Sequence, residues 1–214
     1  MKFIERLHYK HPNWGIENLM LHVSLITGIV YIMAYGFRTN IETFLYLDRA
    51  MIFQGQIWRL ITFIFIPPTP SVIWIAFTLY FYYWIGTSLE RTWGTFKFNA
   101  FYILSMLGTI LAALVFGGAY EGFYVNLSMF LAFAYLYPQV EVMIFFFIPI
   151  KIKYLAYVDA GILLLNFILG SFTVKLSIIA SLTGFLVFFG NGLYLSLKMF
   201  VMRIINKIKH RGLY

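Results

Sequence analysis

A hydroxyl that is to break an acyl bond needs a base to take its proton and donors for the oxyanion it creates. Ser128 is the one serine in the apolar stretch 123–137, set as Asn126-Leu127-Ser128-Met129. The bases on offer are badly placed for it. The histidines are His8, His11, His22 and His210; three lie outside every apolar stretch, and His22 opens the first. Lys175 stands at a helix end. Geometry comes before pKa in choosing a base, so Ser128 reads as a small packing residue whose hydroxyl bonds back to its own helix. His8 and His11, followed by Pro12, supply two ligands where a closed metal site needs four, so neither metal nor cofactor is expected. The chain has no Cys, hence no thiol nucleophile, thiolate site or disulfide. Asp159 and Asn166, seven apart, share one face of the stretch 154–169, with Gly170 four further on. An acid in lipid is a functional candidate by default. With no second acid in another apolar stretch, a structural hydrogen bond inside a helix bundle is the favoured reading, and a proton or ion path the runner-up.

The elements that position these groups are membrane helices. Hydrophobic residues make up 62% of the 214 and charged ones 11%, with mean hydropathy +0.83. A soluble domain carries about 45–50% apolar and roughly 25% charged residues; the surplus here must face lipid. Six stretches are long enough to cross a bilayer: 19–35, 71–89, 98–116, 123–137, 154–169 and 176–195. The expected fold is all-α, a single polytopic domain over residues 1–214 with six transmembrane helices. The apolar run 142–150, too short to cross and broken by Pro149, reads as a re-entrant or interfacial stretch. Residues 1–15, with Phe3, Ile4 and Leu7 on one helical face, read as an interfacial segment, and no removable signal peptide is expected.

Six crossings put both termini on one side. That side holds 12 of the 16 Lys and Arg; Arg38, Arg49, Arg59 and Lys175 lie on the other. The positive-inside rule makes the richer side cytoplasmic. A seventh crossing at 142–150 would spoil the segregation. The net charge of +8 therefore faces an anionic leaflet and argues against nucleic acid as a partner. The basic tail 199–214 continues the last helix on that side. The connection 36–70 is long for a bundle and rich in Phe, Leu, Ile and Trp, so it is expected half within the outer leaflet.

Two motifs flank the second apolar stretch: Gly55-Gln56-Ile57-Trp58-Arg59-Leu60-Ile61-Thr62, and Gly86-Thr87-Ser88-Leu89-Glu90-Arg91-Thr92-Trp93-Gly94, followed by Phe96 and Phe101-Tyr102-x-x-Ser105. In this order and spacing the chain resembles the rhomboid superfamily, which includes intramembrane serine proteases and inactive derlin-type relatives. The resemblance implies that Trp58 and Arg59 fix the shape of the first loop. It also implies a protease serine in a Gly-x-Ser-Gly setting on span four and a histidine on span six. Neither can be placed. Ser128 lacks both glycines. Counting back from Pro138 puts the nucleophile position near Phe123. Ser177 falls where the histidine belongs, and the oxyanion helpers of span two land near Thr78 and Trp74.

The expectation is thus a pseudoprotease, not an enzyme, that recognises or handles transmembrane segments of client proteins without cutting them. Relatives do so through a lateral opening between spans two and five. The aromatic run Phe77, Tyr80, Phe81, Tyr82, Tyr83 and Trp84 could grip a passing helix or simply face lipid. The small pairs Ser177/Ser181 and Ala180/Gly184 are expected to pack span six closely on the Ser128/Ala132 face of span four. A residual protease, a small transporter and a lipid-perturbing protein are the alternatives; inverted repeats are missing, which disfavours transport. Partners are the bilayer and client helices, and the site is a plasma membrane of prokaryotic type.

Overall fold

The computed structural model describes residues 14–117, 119–144 and 148–190, with isolated positions on either side. The expected segments 1–15 and 199–214 lie mostly outside the described residues. The first span, α1 (Leu19–Tyr31), runs on as a π-helical turn, Ile32–Gly36. Three short helices fill the long connection: α2 (Ile41–Leu45), α3 (Arg49–Phe53) and α4 (Arg59–Thr62). Asp48 starts α3 by accepting the N–H groups of Ala50 and Met51, as an N-cap aspartate does. Then follow α5 (Val72–Trp93), α6 (Thr95–Phe116), α7 (Phe123–Leu136), α8 (Ile152–Leu169) and α9 (Phe172–Ser181). Helix resumes over Thr183–Gly190 after a bend of 48°.

Among the described residues, four helices are long and apolar enough to cross a membrane: Leu19–Gly36, α5, α6 and α8; the bent pair makes a fifth if taken as one span. The chain is therefore a mostly helical membrane bundle. α7 is shorter, 14 residues or about 21 Å, against a hydrocarbon core of roughly 30 Å. It can be short because protein surrounds it. Val125, Met129, Ala132 and Phe133 are buried, and it touches α5, α6, α8 and α9. α8 is its opposite, with only Ile152 and Leu163 buried.

Strands appear where none was expected. Within the run expected as a re-entrant or interfacial stretch, two strands pair antiparallel: β3 (Glu141–Ile144) with β4 (Ile148–Lys151), Met143 facing Pro149. A second short ladder joins β1 (Leu47–Asp48) to β2 (Ala119–Tyr120). An unbroken apolar run carries no periodicity that separates strand from interfacial helix.

Glycines set the closest helix approaches. A Cβ on Gly86 would meet Met20 Cβ at 2.5 Å, so α1 lies directly on α5. A Cβ on Gly184 would collide with Ser105 Oγ and meet the Phe101 carbonyl at 2.7 Å, and one on Gly108 would collide with the Ala180 carbonyl. The small face of the last span thus makes its tightest contact with α6, where the sequence pointed to span four; α7 and α9 do touch. Glycines choose the neighbour here because backbone, not side chain, is what approaches.

Gly184→Ala is expected to lower the thermal unfolding midpoint in detergent micelles by the equivalent of about 1–3 kcal/mol. Gly161, with nothing within 4 Å of its would-be Cβ, supplies the control. Gly161→Ala should be neutral or raise the midpoint, by up to about 1 kcal/mol.

Candidate functional site

The first motif forms a clamp on the long connection. Gly55 has φ 96°, a conformation open to glycine at little cost, and turns the chain into α4. Arg59, 4% exposed, donates through Nε to Gln56 Oε1 (2.8 Å) and through one terminal nitrogen to the carbonyls of Thr43 (2.9 Å) and Tyr46 (2.8 Å). Trp58 Nε1 donates to Phe44 O (3.1 Å) and Thr62 Oγ1 to Leu45 O (3.2 Å). Four consecutive carbonyls, 43 to 46, are held by three side chains. β1 follows and pairs with β2, and Gly122 then lies against Ile64, where a Cβ would come within 2.7 Å of the Ile64 Cα. The Gly122 N–H donates to Phe63 O (3.0 Å). The clamp thereby places the start of α7.

The second motif ties the other end of the bundle. Leu89 is fully buried, and Trp93 packs on Phe101, Phe188 and Phe189 at 5.4–5.7 Å between centroids. Gly94 (φ 81°) turns α5 into α6. Glu90 Oε1 accepts the Asn18 N–H (3.0 Å) at the head of α1 and the Thr95 hydroxyl (2.9 Å). Asn99, not singled out in the sequence, brackets Ile16, accepting its N–H and donating to its carbonyl, both at 3.0 Å.

Between these ends lies a buried polar group on three helices. The Tyr102 hydroxyl of α6 donates to Asn126 Oδ1 of α7 (2.9 Å), and Asn126 also meets the Tyr82 hydroxyl of α5. The sequence reading named Tyr82 and Tyr102 as aromatics but not their meeting at Asn126, because an aromatic in an apolar run gives no sign of which way its hydroxyl points. Ser128 is fully buried and its Oγ has no hydrogen-bond partner among the described residues, so the expected bond back to its own helix is not made. Ser177, 6% exposed, donates instead to Thr173 O (2.8 Å). Phe123 is 44% exposed at the head of α7, so a nucleophile counted to that position would point outward. Thr78 on α5 is half-buried. His22 Nδ1 is bonded to Asn18 O (3.0 Å) at the Glu90 end. What this part of the interior offers is a set of neutral donors and acceptors that can hold helices together.

Asp159 and Asn166 do not form the expected bundle hydrogen bond. Asp159 is half-buried, Asn166 is exposed, and neither side chain has a hydrogen bond or ion pair among the described residues. α8 is too peripheral to present that face to a neighbour. The aromatic run of α5 splits into two faces. Phe81 and Trp84 pack on Phe130 (5.8 Å) and Phe133 (5.1 Å), while Tyr80, 65% exposed, points away from the bundle. Near the clamp, burial pushes the Glu121 carboxyl above the usual carboxylate range, with Glu42 as a second cause, and pushes the Tyr46 hydroxyl up in the same way.

A model of the Rhomboid domain matches residues 54–198. The chain is also similar to Rhomboid-like protease 1 of Toxoplasma gondii, 25% identical over 126 residues, which take in 54% of this chain and 41% of that protein. The chain thus covers less than half the length of this relative.

Arg59→Lys keeps the charge but cannot reach all three acceptors. It is expected to cost about 2–4 kcal/mol, read as a lower unfolding midpoint and faster proteolysis within residues 36–70. For Glu121, whose folded pKa is raised, the unfolded chain gives up the proton first. Its contribution is present at low pH and is lost as pH rises from about 4.5 through the raised folded value. Glu121→Gln should therefore gain stability over the unmodified chain as pH rises between about pH 4 and pH 8, measured by thermal melts.

Proposed function

Since the chain belongs to the rhomboid family, we propose that it is a six-pass, non-cleaving rhomboid-like protein that recognises or handles transmembrane segments of other membrane proteins. The observation that carries this is at Ser177. Where the resemblance calls for a histidine, a serine hydroxyl is spent on the Thr173 carbonyl, and span six holds no histidine at all. Without a base a buried serine hydroxyl stays protonated and is a poor nucleophile. The motif residues Gly55, Gln56, Trp58, Arg59, Gly86, Leu89, Glu90, Trp93 and Gly94 then serve shape, not chemistry. A guest helix would lie between α5 and α8, where Tyr80 points outward and α8 is covered least. In this reading α7 and the bent final pair are the fourth and sixth crossings. Both termini are cytoplasmic, and the membrane is a prokaryotic plasma membrane.

A second reading has its own observation. The relative is named a protease, and the unpartnered Oγ of Ser128 is free to take up a proton acceptor brought by a substrate. That would be a residual intramembrane protease.

Photo-crosslinking in native membranes separates the two, with probes at Tyr80 on α5 and Phe167 on α8. Intact membrane proteins captured at both positions are the expected result. Truncated partners that become full-length in Ser128→Ala would establish the protease instead. Lipid alone at both positions would sink client handling and leave lipid perturbation or transport.

A further inference from the structure

Among the described residues, the hairpin between α7 and α8 leaves its β3 edge open. Ile152 N–H donates to Val140 O (2.8 Å), so Val140 and Ile152 form a hydrogen-bonded pair. The register then alternates. Val142–Ile150 and Ile144–Ile148 are bonded pairs, and Glu141–Lys151 and Met143–Pro149 are the pairs between them. In those intervening pairs the N–H and C=O groups point away from the partner strand, out to the two edges. Pro149 fits this place because it has no N–H to give.

The two edges are therefore unlike. On β4 the outward groups belong to Pro149, which lacks a donor, and to Lys151, the N-cap of α8, whose carbonyl is taken by the first helical turn. On β3 they belong to Glu141 and Met143. Both residues are exposed, Met143 at 63%, and no described residue bonds their outward backbone groups. A two-stranded hairpin is marginal alone and gains from further strands. An open edge left in or near lipid is costly.

We infer that this edge pairs with the β3 edge of a second copy, forming a four-stranded sheet in the order β4, β3, β3, β4. The fit is self-complementary. A two-fold through Val142 sets Glu141 opposite Met143 of the second copy, and Met143 opposite Glu141. Every outward N–H and C=O of the two residues then meets its complement, in two bonded pairs, and neither Glu141 stands directly opposite the other. Copies inserted the same way in one bilayer present this edge at the same depth, which a soluble strand does not. Closure is built in, because the proline-bearing β4 edges stop further addition. The contact is isologous and ends at a dimer.

Since the chain has no Cys, introduced cysteines report the register alone. Differently tagged Glu141→Cys and Met143→Cys chains are co-expressed and oxidised mildly in native membranes. In a bonded antiparallel pair the Cα atoms lie about 5.5 Å apart, within disulfide range. The expected product is the mixed 141–143 dimer, with no product from Lys151→Cys paired with either. Met143→Pro removes one outward donor without touching the inner ladder, and should shift the protein in nanodiscs from dimer to monomer. A missing 141–143 product, equal linkage through Lys151→Cys, or an adduct with a different protein would overturn the inference. The cysteine result stands whether or not Met143→Pro folds.

Discussion

A guanidinium cannot shed its charge, so burying one obliges the surrounding chain to supply oxygens. Arg59 is that group, and the oxygens it finds are Gln56 Oε1 and two backbone carbonyls thirteen and sixteen residues away. Trp58 and Thr62 take the two carbonyls between. The connection 36–70 is consequently not a tether of variable shape. Its path from Thr43 to Tyr46 is fixed, and Leu47 enters the core fully buried. The strand that follows aligns residues 119–120, and the next turn seats Gly122 on Ile64. The position of the central helix descends, link by link, from one desolvated cation.

The opposite pole works by backbone recognition as well. Glu90 and Asn99 together engage the main chain at Ile16 and Asn18, while Gly94 reverses the chain in a single residue. Between the poles, Tyr102 and Asn126 join α6 to α7 in a setting where water is scarce and a bond made is hard to replace. The bundle is thus rigid where the motifs are. It is least covered along α8, whose apolar residues are nearly all outward.

The sequence made the membrane helices, four long ones and a bent pair among the described residues, and both motifs legible because apolar length and the spacing of Gly, Trp and Glu survive without knowledge of packing. What it hid depended on direction. One residue along a helix rotates a side chain by about 100°, so a count along the chain does not say which face a position takes, and Phe123, reached by counting back from Pro138, lies on the outer surface. Ser128 and Ser177 look alike in sequence, yet one bonds back to its helix and the other does not. Asp159 and Asn166 share a face, but nothing in their spacing says that α8 would turn so little of itself inward. The hairpin escaped notice for a simpler reason: Val142, Met143 and Ile144 are apolar without alternation, and Pro149 looked like a break when it is an edge residue between bonded pairs.

α7 covers only about 21 Å of a core of roughly 30 Å and carries Asn126 and Ser128 within it. On its own it would leave roughly 9 Å of hydrocarbon unspanned and two polar side chains facing lipid. It becomes comfortable only once α5, α6 and the later helices have assembled around it. A helix this short ties its own stability to its contacts with α5, α6, α8 and α9.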